Sequence, residues 1–372
     1  MTNHTLCLEE LRPWIDRHIG QHANQFDLEQ ALPTALVEQL ARVGILGSQI
    51  PQTFGGAPMD ALSFGYLCEH LGAASSSVLS LLTVHTMVST ALLKWGSTKQ
   101  KDHWLPRLAR GEPLAAFALS EPDMGSDAKN VQTTIQRDGD FYLINGVKKW
   151  ISLGQLAGLF LVVGNLDGKV VGVLLERSTP GLTVAPIRDM LGFRAAMLGE
   201  LRMQDCRVPA ANFIGSVDFG YAQIVGSVLD HGRYCIAWGA TGLARACLEA
   251  CLSYTSQRES FGQPLREHQL IQRMLADMVT HVSAARLLCA DAAQRRADQH
   301  PSTIMATTMA KYFAARMAEV AANDAVQIHG ANGCSNNYPM QRYLRDAKIM
   351  NIIEGSTQMQ QILIGQHGLV AP

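Results

Sequence analysis

The residue best placed to do chemistry is a lone acid in apolar surroundings. Glu354 follows Ile349, Met350, Ile352 and Ile353 and precedes Gly355. If a carboxyl at such a position is buried, desolvation raises its pKa and makes it a stronger base toward a weak carbon acid. Four other runs, widely separated in the chain, are dense in Gly, hydroxyl and aromatic residues. They are Phe117 to Asp127 (FALSEPDMGSD), Lys148 to Ser152 (KKWIS), Arg258 to Pro264 (RESFGQP) with His268-Gln269, and Gln327 to Gly333 (QIHGANG). The fifth run is Arg345-Asp-Ala-Lys leading to Ile352-Ile-Glu-Gly-Ser-Thr-Gln358. Taken singly, each has a plain structural reading. Ser120 to Ser126 suits a polar loop and Trp150 a sheet core. Arg258 suits a helix C-terminus, where a cation complements the dipole. Gly330 and Gly333 suit helix caps, and Glu354 a solvated turn.

Other layouts are missing. There is no G-x-G-x-x-G after a strand, no G-x-x-x-x-G-K-[ST] and no G-x-S-x-G. The 12 histidines lack metal spacing and the 8 cysteines form no C-x-x-C, so no metal site is expected. With 31 basic and 32 acidic side chains the net charge is −1, which offers no field for a polyanion, and nucleic-acid binding is not expected. No apolar run reaches the ~18 residues that span a bilayer, so no membrane partner is expected. The first thirty residues carry Glu9, Glu10, Asp16, Asp27 and Glu29 with no apolar core. They read as neither a secretory signal nor a transit peptide, and the expected location is the cytoplasm.

The elements that must hold these runs follow from periodicity. Residues 1–112 show helical spacing: Ala31 to Val43 with Leu32, Leu36, Leu40 and Val43 on one face, Ala61 to Leu71 ending at Gly72, the nearly all-apolar Val78 to Trp95, and Gln100 to Leu108. Residues 113–217 change to period two, with one hairpin turn expected at Asn145-Gly146 and another at Asp167-Gly168. Residues 218–372 return to helix. Leu270, Ile271, Met274, Leu275, Met278, Val282, Ala285, Leu288 and Cys289 share one stripe, Ala306 to Val326 forms another helix, and a last one is capped near Ser356-Thr357. The expectation is an α+β chain: an N-terminal helical domain, a middle antiparallel β-domain and a C-terminal helical bundle.

In this order and on this α-β-α layout, the five runs resemble the acyl-CoA dehydrogenase family over essentially the whole chain. The resemblance implies an FAD enzyme that oxidises the Cα–Cβ bond of an acyl thioester, presented by CoA or an acyl-carrier protein. Glu354 would take the α-proton while the β-hydride passes to the flavin. Phe117, Leu119, Ser120, Gly125 and Ser126 would lie beside the flavin, with Trp150, Ile151 and Ser152 over its ring. Arg258, Glu259, Ser260, Phe261, His268, Gln269, Gln327, Ile328, Gly330 and Ala331 would reach the pyrophosphate and adenine region of a neighbouring subunit's FAD. Ser356, Thr357 and Gln358 would hold cofactor oxygens. On the substrate side the resemblance implies Ser126, Asp230, Arg233 and Gly355. It also implies a homodimer or homotetramer and an electron-acceptor flavoprotein.

The chain departs from the family pattern at five places. Ser120 and Ser356 replace threonines, Cys334 an aromatic, Asn337 an acid and Gln361 an arginine. The Ala-Asn-Gly, Asp-Ala-Lys-Ile-Met and Ile-Ile-Glu-Gly pattern looks most like relatives that act on carrier-bound acyl groups in polyketide extender-unit biosynthesis. Two alternatives are a flavin oxidase or monooxygenase on the same fold and a cofactor-free helical binding protein.

Overall fold

The computed structural model describes residues 6–370; residues 1–5 and 371–372, which the expected first and last units include, lie outside them. The first six helices are α1 (Leu8–His18), α2 (Ala23–Glu29), α3 (Thr34–Arg42), α4 (Ala61–Ala74), α5 (Ser76–Trp95) and α6 (Thr98–Ala109). Ser97 and Gln100 start α6 with a reciprocal capping box, and Gly44, at φ +82°, follows α3. Helix α4 runs through Gly72 rather than stopping there. A methyl at Gly72 would overlap the Gly239 carbonyl, so this glycine serves close helix packing and not termination. Every residue of α5 from Ser76 to Ser89 is buried, as its all-round apolar sequence predicts.

Eight strands follow: β1 (Ala115–Ala118), β2 (Thr134–Asp138), β3 (Phe141–Ile151), β4 (Leu159–Leu166), β5 (Lys169–Glu176), β6 (Leu182–Pro186), β7 (Gly199–Pro209) and β8 (Phe213–Ile214). They form one sheet in the order β6-β7-β3-β2-β4-β5-β8, with β1 on β4. The sheet is mixed, not purely antiparallel: β1 and β2 both pair parallel to β4. The Asp167-Gly168 hairpin is present, Leu166 facing Lys169. Asn145-Gly146 is no hairpin turn. It lies inside β3 at a bulge against β7, where Asn145 exchanges hydrogen bonds with Asp205 and Gly146 (φ +149°) lets Thr133 pass close by. The turn that joins β2 to β3 is at Gly139-Asp140.

After a short π-helical stretch, Tyr221–Gly226, come α7 (Ser227–Gln257), the two-stranded ribbon β9 (Glu259–Ser260) and β10 (Gln263–Pro264), α8 (Gln269–Ala297), α9 (Thr303–His329), α10 (Met340–Met350) and α11 (Thr357–Val370). Helix α7 is the central member. It packs on α4, α5, α8 and α9 and buries Tyr234, Trp238, Leu243 and Cys247 among them. On α8 the buried side chains are Met278, Val282, Ala285 and Cys289 of the expected stripe, joined by Ala292 and Ala293 beyond it, while Leu270 is exposed.

Candidate active site and cofactor cleft

Glu354 sits in the turn between α10 and α11, and the turn is pinned before the acid is reached. The Asn351 amide donates to the Ala315 carbonyl and to Glu319, while its Oδ1 accepts from the Thr357 hydroxyl at 2.9 Å. Glu354 (φ +53°) and Gly355 (φ +87°) are both left-handed, a conformation that costs energy at a residue with a Cβ unless its surroundings enforce it. Three donors from three helices do so. Arg233 Nε (α7) donates to the Glu354 carbonyl at 3.3 Å. Lys311 Nζ (α9) donates to the Gly355 carbonyl at 2.7 Å. Gln360 Nε2 (α11) donates to both carbonyls, at 3.3 and 3.1 Å.

This backbone aims the carboxyl at α7, against Gly232. A methyl there would overlap Glu354 Oε2 and come within 2.6 Å of Cδ, so the absence of a Cβ makes the seat. Although the residue as a whole is only half-buried, Oε2 is fully buried and has no hydrogen-bond partner among the described residues. Burial pushes the carboxyl up to about 7, with Cys235 adding to the rise and Arg233 and Lys311 opposing it. The result is a carboxylate poised near neutrality with a free lone pair. That suits proton abstraction from carbon.

The first two runs meet through the sheet. Lys149 N–H donates to the Ser120 carbonyl, and beneath them Lys148 Nζ donates to the Leu119 carbonyl at 2.9 Å and to Glu121 at 2.7 Å. Burial disfavours ionised Glu121, but hydrogen bonds from Lys148 and Thr133 outweigh it and hold its carboxyl below the usual range. Phe117, Leu119 and Ile151 are buried, while Gly125 and Ser126 are exposed. Trp150 is 46% exposed at the end of β3, with Lys149 Nζ 4.9 Å from its ring centroid. Ser152 is anchored to α5 by the Ser80 hydroxyl at 3.1 Å. On the same helix two turns later, about 10 Å along the axis, Met87 packs against Gly232. Helix α5 thus spaces the Trp150–Ser152 strand end from the Glu354 carboxyl.

A separate cleft of about 330 Å³ collects Arg258, Ser260, Gln327, Ile328, Gly330 and Ala331, together with Tyr254, Leu265, His329 and Asn332. Arg258 ends α7, and the β9–β10 ribbon carries Phe261 at its tip, 97% exposed. His268 reaches back to the Ser260 carbonyl at 3.0 Å. Gly330 (φ +58°) has nothing within 4 Å of where a Cβ would stand, which leaves its backbone open to close approach. Glu259 and Gln269 are exposed outside the lining. Ser356 caps α11, its hydroxyl accepting from Met359 N–H; Thr357 is tied to Asn351, and Gln358 is exposed.

Glu354 and this cleft lie apart. Lys311 and Gln327 are both on α9, about 24 Å from each other at 1.5 Å per residue. Asp230 makes no hydrogen bond or ion pair with Glu354. It is buried, and its Oδ2 accepts from Arg296 of α8 at 2.8 Å. Another cleft, about 390 Å³, is lined by Arg12, Asp16, Arg245, Glu249 and Tyr343 among others, and holds none of the residues singled out by sequence. Conversely Lys311, Gln360, Gly232 and the Glu121–Lys148 pair escaped sequence reasoning. For Lys311 a signal existed, because it repeats in phase with Ala310, Ala314, Ala315 and Ala318 on the buried side of α9.

Family models match three stretches: the N-terminal domain of acyl-CoA dehydrogenases over residues 2–112, the middle domain over 116–206 and the C-terminal domain over 219–369. The chain therefore belongs to the acyl-CoA dehydrogenase family, and it is an FAD-dependent oxidoreductase that dehydrogenates an acyl thioester. It is 36% identical to a probable acyl-CoA dehydrogenase of Bacillus subtilis over 365 residues, 96% of each chain. Butyryl-CoA dehydrogenase from Megasphaera elsdenii superposes with TM-score 0.92 at 32% identity, covering 96% of both chains. FkbI, described as serving biosynthesis of the methoxymalonyl extender unit of the Fk520 polyketide, superposes with TM-score 0.91 at 31% identity, covering 97% of this chain and 99% of that one. The residues present suit FAD. An exposed indole, hydroxyl and backbone donors at the strand end, and an Arg-lined cleft with an open glycine match an aromatic ring system and a pyrophosphate.

Proposed function

We propose that Glu354 is the base that removes the α-proton of the acyl thioester. The observation that carries this is its buried, unpartnered Oε2 held against Gly232 on a turn clamped by three helices. No acceptor among the described residues takes the Glu354 backbone N–H, so that donor is free for the thioester oxygen, where negative charge gathers as the proton leaves. Arg233 and Gly355 shape the same wall. When bound, FAD supplies the acceptor for the β-hydride. Trp150 and Ser152 would flank its ring, with Ser120, Gly125 and Ser126 beside it, and Arg258, Ser260, Gln327 and Gly330 would hold its phosphate and adenine end. Asp230 acts indirectly, by fixing α7 to α8 through Arg296.

The separation of about 24 Å along α9 between Lys311, which holds the Glu354 turn, and Gln327 of the Arg258 cleft supports a homo-oligomer, a dimer or a dimer of dimers, in which each cleft serves a neighbour's cofactor. The substrate we favour is a small acyl group on a carrier protein or CoA, a reading that leans on the likeness to FkbI and butyryl-CoA dehydrogenase. Reoxidation would fall to an electron-acceptor flavoprotein. Mass-spectrometric assay of the purified yellow protein against acyl-CoA and acyl-carrier thioesters tests the substrate. Unsaturated product from long-chain acyl-CoA alone would defeat the small-acyl reading. Glu354→Gln should keep fold and colour and lose flavin reduction by at least the 10²–10⁴ that a positioned base contributes; a Gln variant within tenfold of the parent would remove Glu354 from that role.

A further inference from the structure

Lys311 is a lysine with no exposed surface, in the middle of a helix whose buried side is otherwise lined there by Thr307, Thr308 and alanines. Burying a lysine costs several kcal/mol unless its protons find acceptors. Its hydrogen bond to the Gly355 carbonyl, at 2.7 Å, falls on the residue that follows Glu354.

We propose that Lys311 is a positioning residue for the reaction: by clamping the Gly355 carbonyl from beneath, and by placing its positive charge beside the Glu354 carboxyl, it holds the base in its left-handed turn and favours the ionised form. The inference rests on the reading of Glu354 as the base. Three features support it. The Gly355 carbonyl is doubly held, by Lys311 and Gln360, in a segment whose two left-handed residues would otherwise relax. The charged and titratable neighbours are few: Arg233 and Cys235 from α7 face the carboxyl alongside Lys311, and Arg296 of α8 is committed to Asp230 and Thr307. Finally, burial brings the Lys311 ammonium down to about 7, against the pull of Glu354, and Arg233 adds to the lowering. Its charge is therefore sensitive to the ionisation of Glu354.

The test reads the base without dehydrogenation. On the holoenzyme in D₂O, mass spectrometry follows wash-in of deuterium at the α-carbon of an acyl thioester that lacks β-hydrogens, from pH 5.5 to 9.5. Lys311→Met should move the acid limb of the exchange rate up by about one pH unit, the low end for losing a neighbouring opposite charge. The exchange at pH 7, where the parent carboxyl is about half ionised, should then fall about fivefold and largely recover at pH 9. Lys311→Gln, which keeps a donor, should show the same shift with a smaller loss at pH 9, and Lys311→Arg should leave the limb in place. An acid limb unmoved in both the Met and Gln variants would overturn the proposal. A pH-independent loss tracking melting temperature would reduce Lys311 to a packing role and overturn it too. Glu354→Gln is the control: if it exchanges at the parent rate, the reading of the base fails and not the role of Lys311 alone.

Discussion

Adding one methyl group at position 232 should separate stability from catalysis. Gly232 lies inside α7, where an alanine is better than glycine by about 1 kcal/mol in a helix interior. The added Cβ meets Glu354 Cδ at 2.6 Å, Oε2 closer still, and Met87 Cε at 3.2 Å. Ordinary contact begins near 3.4 Å, so the carboxyl must retreat by roughly 1 Å, and it can, being the end of a flexible side chain. The strain is thus relieved by the carboxyl proposed as the base. A displacement of about 1 Å costs on the order of 10² in rate, equivalent to roughly 2.7 kcal/mol of transition-state stabilisation. Gly232→Ala should therefore hold FAD, melt no lower than the parent, and reduce its flavin about 100-fold more slowly when mixed anaerobically with acyl thioester. Reduction within threefold of the parent would show that the carboxyl does not work from this seat.

Three further outcomes follow from the same geometry. With Glu354 raised to about 7 by burial, the active carboxylate gains population as pH rises, so kcat/KM should fall tenfold per pH unit below about 7; a limb near the ordinary carboxylate value of 4.5 would contradict the burial argument. Lys148→Met leaves Glu121 charged and buried without its counter-ion, at about 3–5 kcal/mol, and should lower Tm by roughly 5 °C in a chain of this length; calorimetry showing a change under 2 °C would make the pair dispensable. Arg258→Ala should weaken FAD binding by about 2–5 kcal/mol while the reduction rate of the saturated enzyme changes little, and an unaltered Kd in a flavin titration would leave Arg258 as a helix end only.

Periodicity and the distribution of apolar residues carried most of the fold, because long helices such as α5 and α9 repeat their burial pattern over many turns. The errors share one cause. Gly72 and Asn145-Gly146 look like punctuation, yet each glycine is there because another backbone passes close by, Gly239 in one case and Thr133 in the other. A local signal cannot distinguish a turn from a crossing. The parallel pairing of β1 with β4 was hidden for the same reason, since its partner is set by the whole sheet. Glu354 stood out as an acid among isoleucines. Asp230 could not be resolved, because its partner Arg296 lies on another helix and only packing brings them together.

The position of Glu354 in a turn, not on a helix, has a physical logic if it is the base proposed above. A helical glutamate would present its carboxyl along a face already filled by its neighbours, with its backbone N–H spent on the preceding turn. In the left-handed turn at 354 and 355 the N–H is unspent, while the carbonyls accept from Arg233, Lys311 and Gln360. The same segment can then offer a proton acceptor at its side chain and a hydrogen-bond donor at its backbone, to adjacent atoms of one substrate. That freedom costs backbone strain and the burial of a lysine. A site that abstracted a proton without stabilising the resulting enolate would have no need of either, so the strained turn and the buried ammonium are the features that connect this geometry to chemistry next to a thioester carbonyl.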